Sequence, residues 1–119
     1  MMDGNGFQEH QKKFLGNLLE VCRAKQKEYA NNENAFHNFE EAVGISMNKE
    51  RETVAWAFCV KHLQSVRDII TSIEEGNGPP KQALIDEKFG DIIVYMTLMH
   101  GMITDRINFE KIITDDKED

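Results

Sequence analysis

The run Glu75-Gly76-Asn77-Gly78-Pro79-Pro80 separates the chain's two most apolar stretches and forces the backbone to stop and turn between them. Glycine frees the backbone, and two consecutive prolines cannot continue a helical ladder, so the element before residue 75 ends there. On both sides the apolar residues recur at helical spacing. From about Glu50 to Glu75, a helical wheel gathers Val54, Ala55, Trp56, Phe58, Cys59, Leu63, Val66, Ile69, Ile70 and Ile73 on one broad side, with His62 in its middle. From about Gln82 to Asn108 the chain is apolar nearly all round, through Leu84, Ile85, Phe89, Ile92, Ile93, Val94, Met96, Leu98, Met99, Met102 and Ile103. Such a helix needs neighbours on several sides.

Ahead of these two helices, Phe7, Phe14, Leu15, Leu18, Cys22 and Tyr29 close one face of an amphipathic helix running from Phe7 to about Ala30. Asn31 to Asn34 break it, because asparagine competes for backbone hydrogen bonds. Ala35 to Val43 then form a short connector helix ended by Gly44, with Phe36 and Phe39 turned the same way. Ser46 or Asn48 caps the next helix, and Glu50 and Glu52 sit at its positive end. The expected fold is all-α, three long helices and a short connector, in one domain spanning residues 1–119. Order is expected over about residues 7–110, with a polar start and an acidic end, Asp115 to Asp119, that fray. Three long helices make an incomplete bundle, so self-association, first of all as a homodimer, is expected to complete it. Trp56 and the methionines are expected in the core.

A net charge of −7, with no basic run, argues against nucleic acid as a partner. Cys22 and Cys59 lack metal-ligand spacing and read as reduced, small core residues. The absence of a signal peptide and of a transmembrane run points to a cytoplasmic protein with no membrane partner. There is no Gly-rich phosphate loop, no His-Glu-x-x-His and no Gly-x-Ser-x-Gly. Cys59 lies one turn from His62, but in an apolar stripe that would raise the thiol pKa.

Charges stand where apolar residues are expected. Asp91 shares its stripe with Leu84, Tyr95, Leu98 and Met102, and Glu87 projects one turn earlier. The preceding helix offers Lys61, His62, Ser65 and Asp68, and the first helix offers Lys25 and Tyr29. Ionised groups in a low dielectric need a cation, a metal or a proton. Two readings stay open: a salt-bridge network that fixes helix register, or the polar centre of a binding site. His62 by itself reads more readily as a satisfied core histidine than as a metal ligand.

Taken in order, Lys-x-Lys-Glu-Tyr at Lys25 to Tyr29, His-Asn-Phe at His37 to Phe39, Lys-His-x-x-Ser-x-x-Asp at Lys61 to Asp68 and Asp-Glu-Lys-x-x-Asp-x-x-x-Tyr at Asp86 to Tyr95 resemble small phage and prophage proteins of unsettled function. Those in turn look like distant members of the MazG-like all-α nucleoside triphosphate pyrophosphohydrolases. In that superfamily Glu-x-x-Glu on one helix and Glu-x-x-Asp on the next hold Mg²⁺ against the substrate's phosphates. The resemblance implies hydrolysis of a nucleoside or deoxynucleoside triphosphate to the monophosphate and pyrophosphate. It implies catalytic roles for Lys61, His62, Glu87 and Asp91, and Mg²⁺, with Mn²⁺ as substitute, on Asp68, Glu87 and Asp91. It also implies substrate contacts from Lys25, Tyr29, Asn38, Phe39, Ser65, Lys88 and Tyr95, with Phe39 equally explicable as packing. The chain departs from the pattern in two places. Lys88 stands three residues before Asp91, with the acid displaced to Glu87, and the first Glu-x-x-Glu is replaced by Lys61, His62, Ser65 and Asp68. Either the metal site is rebuilt from Asp68, Glu87, Asp91 and His62, or it is lost and Lys61 meets phosphate directly. A non-catalytic helical interaction or nucleotide-sensing protein, its charge network structural, is the alternative.

Overall fold

A computed structural model describes residues 1–29 and 34–118; the side chains of residues 28, 29 and 116–118 lie outside the described set. Four helices follow one another: α1 (Gly4–Tyr29), α2 (His37–Ser46), α3 (Arg51–Glu74) and α4 (Gln82–Glu118). No strand occurs among the described residues. The all-α expectation therefore holds, with one short helix among three long ones.

Each boundary has a local cause. Asp3 starts α1 by accepting the Gly6 N–H on its carboxylate at 2.7 Å, which satisfies one of the amides a helix start leaves without a partner. Most of the expected Asn31–Asn34 break falls outside the described residues, but Asn34 accepts the Phe36 N–H at 2.9 Å and so turns the chain into α2. α2 runs through Gly44 to Ser46, and its left-handed cap falls on Met47 at φ 61°. Ser46 and Asn48 do not cap α3. They bond to each other at 3.1 Å, and Glu50 occupies the cap position in extended conformation without a side-chain bond to the first amides of α3.

The stop at residue 75 is the predicted one. Gly76 takes φ 84°, its N–H reaches Ile73 O at 3.0 Å, and Asn77 N–H reaches Ser72 O at 3.1 Å. This paired closure occupies the last carbonyls of α3, and Gly76 carries no side chain to oppose it.

α4 extends to Glu118, past the expected end at Asn108, so part of the acidic tail is helical. Thr104 and Thr114 bond back to His100 O and Glu110 O, at 2.8 and 2.9 Å, which satisfies their hydroxyls within the helix. At 37 residues, α4 is roughly 55 Å long. The whole chain measures 61 × 36 × 25 Å with a radius of gyration of 18.2 Å, against roughly 14 Å for a compact chain of this length. Elongation leaves apolar surface uncovered.

The most extensive packing is α3 on α4, antiparallel, with α2 laid on α3 and α1 on α4. The core joins Phe39 of α2, Val54, Ala55 and Cys59 of α3, and Tyr95 and Met102 of α4. Gly90 is buried where Leu18 of α1 crosses α4. Gly101 lets the Phe36 ring approach so closely that an added methyl would stand 3.2 Å from it. Several residues expected in the core lie elsewhere. Trp56 is 51% exposed, and Phe7, Leu15, Leu63, Ile70, Ile73, Met96 and Ile103 are exposed as well. The apolar stripes are wider than the neighbours one chain supplies.

Candidate functional site

The α3–α4 seam brings His62 and Asp91 face to face at its middle. His62 Nδ1 lies 3.5 Å from Asp91 Oδ2, and both side chains are half-buried. The imidazole stacks on Tyr95, ring centroids 5.4 Å apart and planes 27° apart. Tyr95 meets Phe39 edge-on at 6.2 Å, which ties the polar cluster to the core. Of the two roles open to Phe39, the structure shows packing, for its ring is 2% exposed.

One turn along the seam, Ser65 and Asp68 of α3 and Lys88 of α4 line an open recess of about 400 Å³, together with Leu84 and with Asn77, Gly78, Pro79 and Pro80. The turn that stops α3 thus forms one wall. Ser65 Oγ donates to Lys61 O at 3.2 Å. Lys88 is half-buried, and its Nζ stands 3.8 Å from Glu87 Oε1, whose side chain is 63% exposed. Lys61 is exposed on α3. Lys25 is half-buried on α1, and Asn38 is exposed on the first turn of α2. Tyr29 closes α1, its side chain outside the described residues.

The seam therefore gathers two adjoining groups, His62 with Asp91 and Tyr95, and Ser65 with Asp68 and Lys88. Among the described residues no three His, Cys, Asp or Glu side chains stand where they could hold one metal ion. Asp68, Glu87 and Asp91 thus do not form a protein cage for Mg²⁺ within a single chain. Cys22 and Cys59 are both free thiols. Burial pushes the Cys59 thiol up, away from nucleophilic use.

Family models, curated proteins and solved structures give no significant match to this chain. Its chemistry is read from its own residues.

The densest charge cluster is one the sequence did not reveal. Arg51, at the start of α3, donates to Glu40 at 2.7 Å, Glu52 at 3.1 Å, Asp105 at 3.0 Å and Met102 O at 3.0 Å. Its guanidinium also lies 4.8 Å from the Phe36 ring centroid. Beside it Arg106 binds Glu52 at 2.9 Å and Glu50 at 2.6 Å. The clasp joins α2, α3 and α4 at the end of the seam remote from the recess. Glu50 and Glu52 were legible as acids at a helix start, but Arg106, the partner they share, lies more than fifty residues away. Only the hairpin register exposes them. Once His62 faces Asp91, following the antiparallel pair toward Arg51 leads to Asp105 and Arg106.

Burial works to raise the Glu52 carboxyl, yet hydrogen bonds from Arg106 and Arg51 outweigh it and hold the group below its ordinary value of 4.5. The folded state therefore binds the Glu52 proton less readily than the unfolded state does. This contribution to stability is fully present above pH 4.5 and is lost as pH falls through the depressed folded value. Thermal melts from neutral to acidic pH are expected to show that loss, and Glu52→Gln is expected to flatten it. An acid limb unchanged by Glu52→Gln would refute the assignment.

Among the described residues no helix is long and apolar enough to cross a membrane.

Proposed function

We propose that this chain is a nucleotide-binding helical protein of the MazG-like kind, which takes a nucleoside triphosphate along the α3–α4 seam and hydrolyses it to the monophosphate and pyrophosphate. The observation that carries this reading is the recess of about 400 Å³ in which Ser65, Asp68 and Lys88 meet, directly beside the His62–Asp91 contact. Its volume lies in the range of small-ligand sites, and its lining combines a cation, a carboxylate, hydroxyls and apolar side chains. Lys88 supplies charge for phosphate oxygens, and the Ser65 hydroxyl can donate to them once it turns away from the Lys61 carbonyl. Lys61, exposed on the same helix, adds a second cation within an otherwise acidic chain. His62 and Asp91 set an imidazole against a carboxylate at the seam's centre, the residue types general acid–base chemistry uses. With no three-carboxylate cage among the described residues, Mg²⁺ or Mn²⁺ enters this proposal only as the counter-ion that accompanies the triphosphate.

Titration calorimetry with each deoxynucleoside triphosphate, with Mg²⁺ or Mn²⁺ present, is expected to give saturable binding that Lys88→Ala weakens by about tenfold or more. Pyrophosphate release is expected to exceed that of a Glu87→Ala/Asp91→Ala control. Binding without release above the control would reduce the reading to nucleotide sensing. Absence of both would leave a helical interaction protein. That second reading has its own support in the exposed apolar side chains of α3 and α4.

A further inference from the structure

Helix α1 lies along the side of α4 turned away from the seam. The two run in the same direction, since Leu18 meets Gly90 and, one turn further on, Cys22 shares a small gap with Val94 and Leu98. Gly90 brings no side chain to this contact, and a Cβ placed there would stand 3.8 Å from Leu18 Cδ1. Toward the start of α4 the same two helices leave a cavity of about 300 Å³, whose apolar walls are Phe14, Leu18 and Val21 of α1 and the Gly90 backbone of α4. Gln82, Asp86 and Gly90 recur every four residues on this side, while Leu84, Lys88 and Asp91 share the opposite one. The body of α4 therefore separates the cavity from the recess.

One charge of each sign flanks the apolar walls, Lys13 from α1 and Asp86 from α4. Among the described residues neither forms an ion pair. Gln82 Nε2 donates to Asp86 Oδ1 at 2.9 Å, which holds the carboxylate in place and leaves Oδ2 for a cation. The Phe14 ring is backed by His10, stacked on it with centroids 6.2 Å apart and planes 9° apart, so a flat aromatic surface is fixed at the cavity. At about 30 Å³ per water the cavity holds roughly ten waters, room for one ring with a short arm and too little for a nucleoside triphosphate. We infer that it binds a small aromatic zwitterion, an amino acid of the phenylalanine class. The ring lies against Phe14, Leu18 and Val21, the carboxylate meets Lys13 and the ammonium meets Asp86. An amine or an acid alone leaves one of these two charges unmatched. The inference does not depend on nucleotide binding.

Amide chemical shifts of the full chain, followed as L-phenylalanine is added to millimolar concentration, test it. Saturable shifts are expected, centred on Lys13, Leu18, Val21, Asp86 and Gly90. Phenylacetate, which lacks the ammonium, and phenethylamine, which lacks the carboxylate, are each expected to bind the wild-type chain ~10-fold or more weakly than L-phenylalanine. Asp86→Asn, which keeps an acceptor for Gln82, and Lys13→Gln are expected to weaken L-phenylalanine by a similar factor. Val21→Phe, which puts a ring into the cavity, is expected to abolish binding. The analogue series uses the wild-type chain, so it decides the matter alone should a variant lose its helical circular dichroism. No shift at millimolar L-phenylalanine, shifts centred on Ser65 and Gly78, or an analogue that binds as tightly as L-phenylalanine would each overturn the inference.

Discussion

Phe39→Ala is expected to destabilise the protein by about 3–5 kcal/mol. The ring is 2% exposed and sits between Phe58, at 6.3 Å and 57°, and Tyr95, at 6.2 Å and 83°. Truncation removes the buried ring's transfer energy and opens a cavity where α2, α3 and α4 meet. Helix α2 is short and has no side-chain cap, so it has little local stability with which to close that gap. A domain of this size has about 5–15 kcal/mol in total, so much of the margin would go. Urea denaturation is the measurement, read with an unchanged slope so that the difference reports stability. A loss below about 1.5 kcal/mol would mean that α2 does not anchor the core through this ring. The result also bears on the site, because a ring needed for packing cannot turn out to stack on a base without unfastening α2.

Arg51→Ala is expected to cost about 2–3 kcal/mol, less than the full effect of breaking a buried ion pair because two of its carboxylate partners are partly exposed. Arg51 itself is 12% exposed, whereas Glu40 and Asp105 are 41% and 62% exposed. Removing the guanidinium takes the added bond from the Met102 carbonyl and leaves Glu40, Glu52 and Asp105 close together without it. Arg51→Lys is expected to recover less than half of the loss, since an ammonium cannot present the planar fork that reaches four acceptors and lies over Phe36. Thermal melts at low and high salt measure both variants. A loss under about 1 kcal/mol would place the clasp among surface ion pairs of no structural consequence.

The hairpin was legible because its turn rests on glycine and proline, whose backbone limits act locally and do not depend on tertiary context. The extent of α4 was not. Past Asn108 its sequence is polar enough to fray, and the helical spacing of Phe109 and Ile112 in that stretch was too short a signal to carry the helix on. Trp56, Leu63 and Met96 were misplaced for another reason: a wheel finds the apolar sides of a helix, but not which of them a single chain can cover. Within the site, His62 and Asp91 were legible as charges on core-facing stripes, and their pairing follows from the antiparallel register. Ser65, Asp68 and Lys88 were named individually, while the wall that makes them a recess comes from the Gly78-Pro79-Pro80 turn, read earlier only as a stop signal. Arg51 escaped notice because its partners are scattered over three helices.

The central claim is that the α3–α4 seam receives a nucleoside triphosphate. Amide chemical shifts of the full chain, followed by NMR as deoxynucleoside triphosphate with Mg²⁺ is added, test it most directly. The account predicts saturable shifts concentrated at Ser65, Asp68, Asn77, Gly78, Lys88 and Asp91, and their loss in Lys88→Ala. Shifts confined to the Arg51–Arg106 end, or none at millimolar nucleotide, would contradict it.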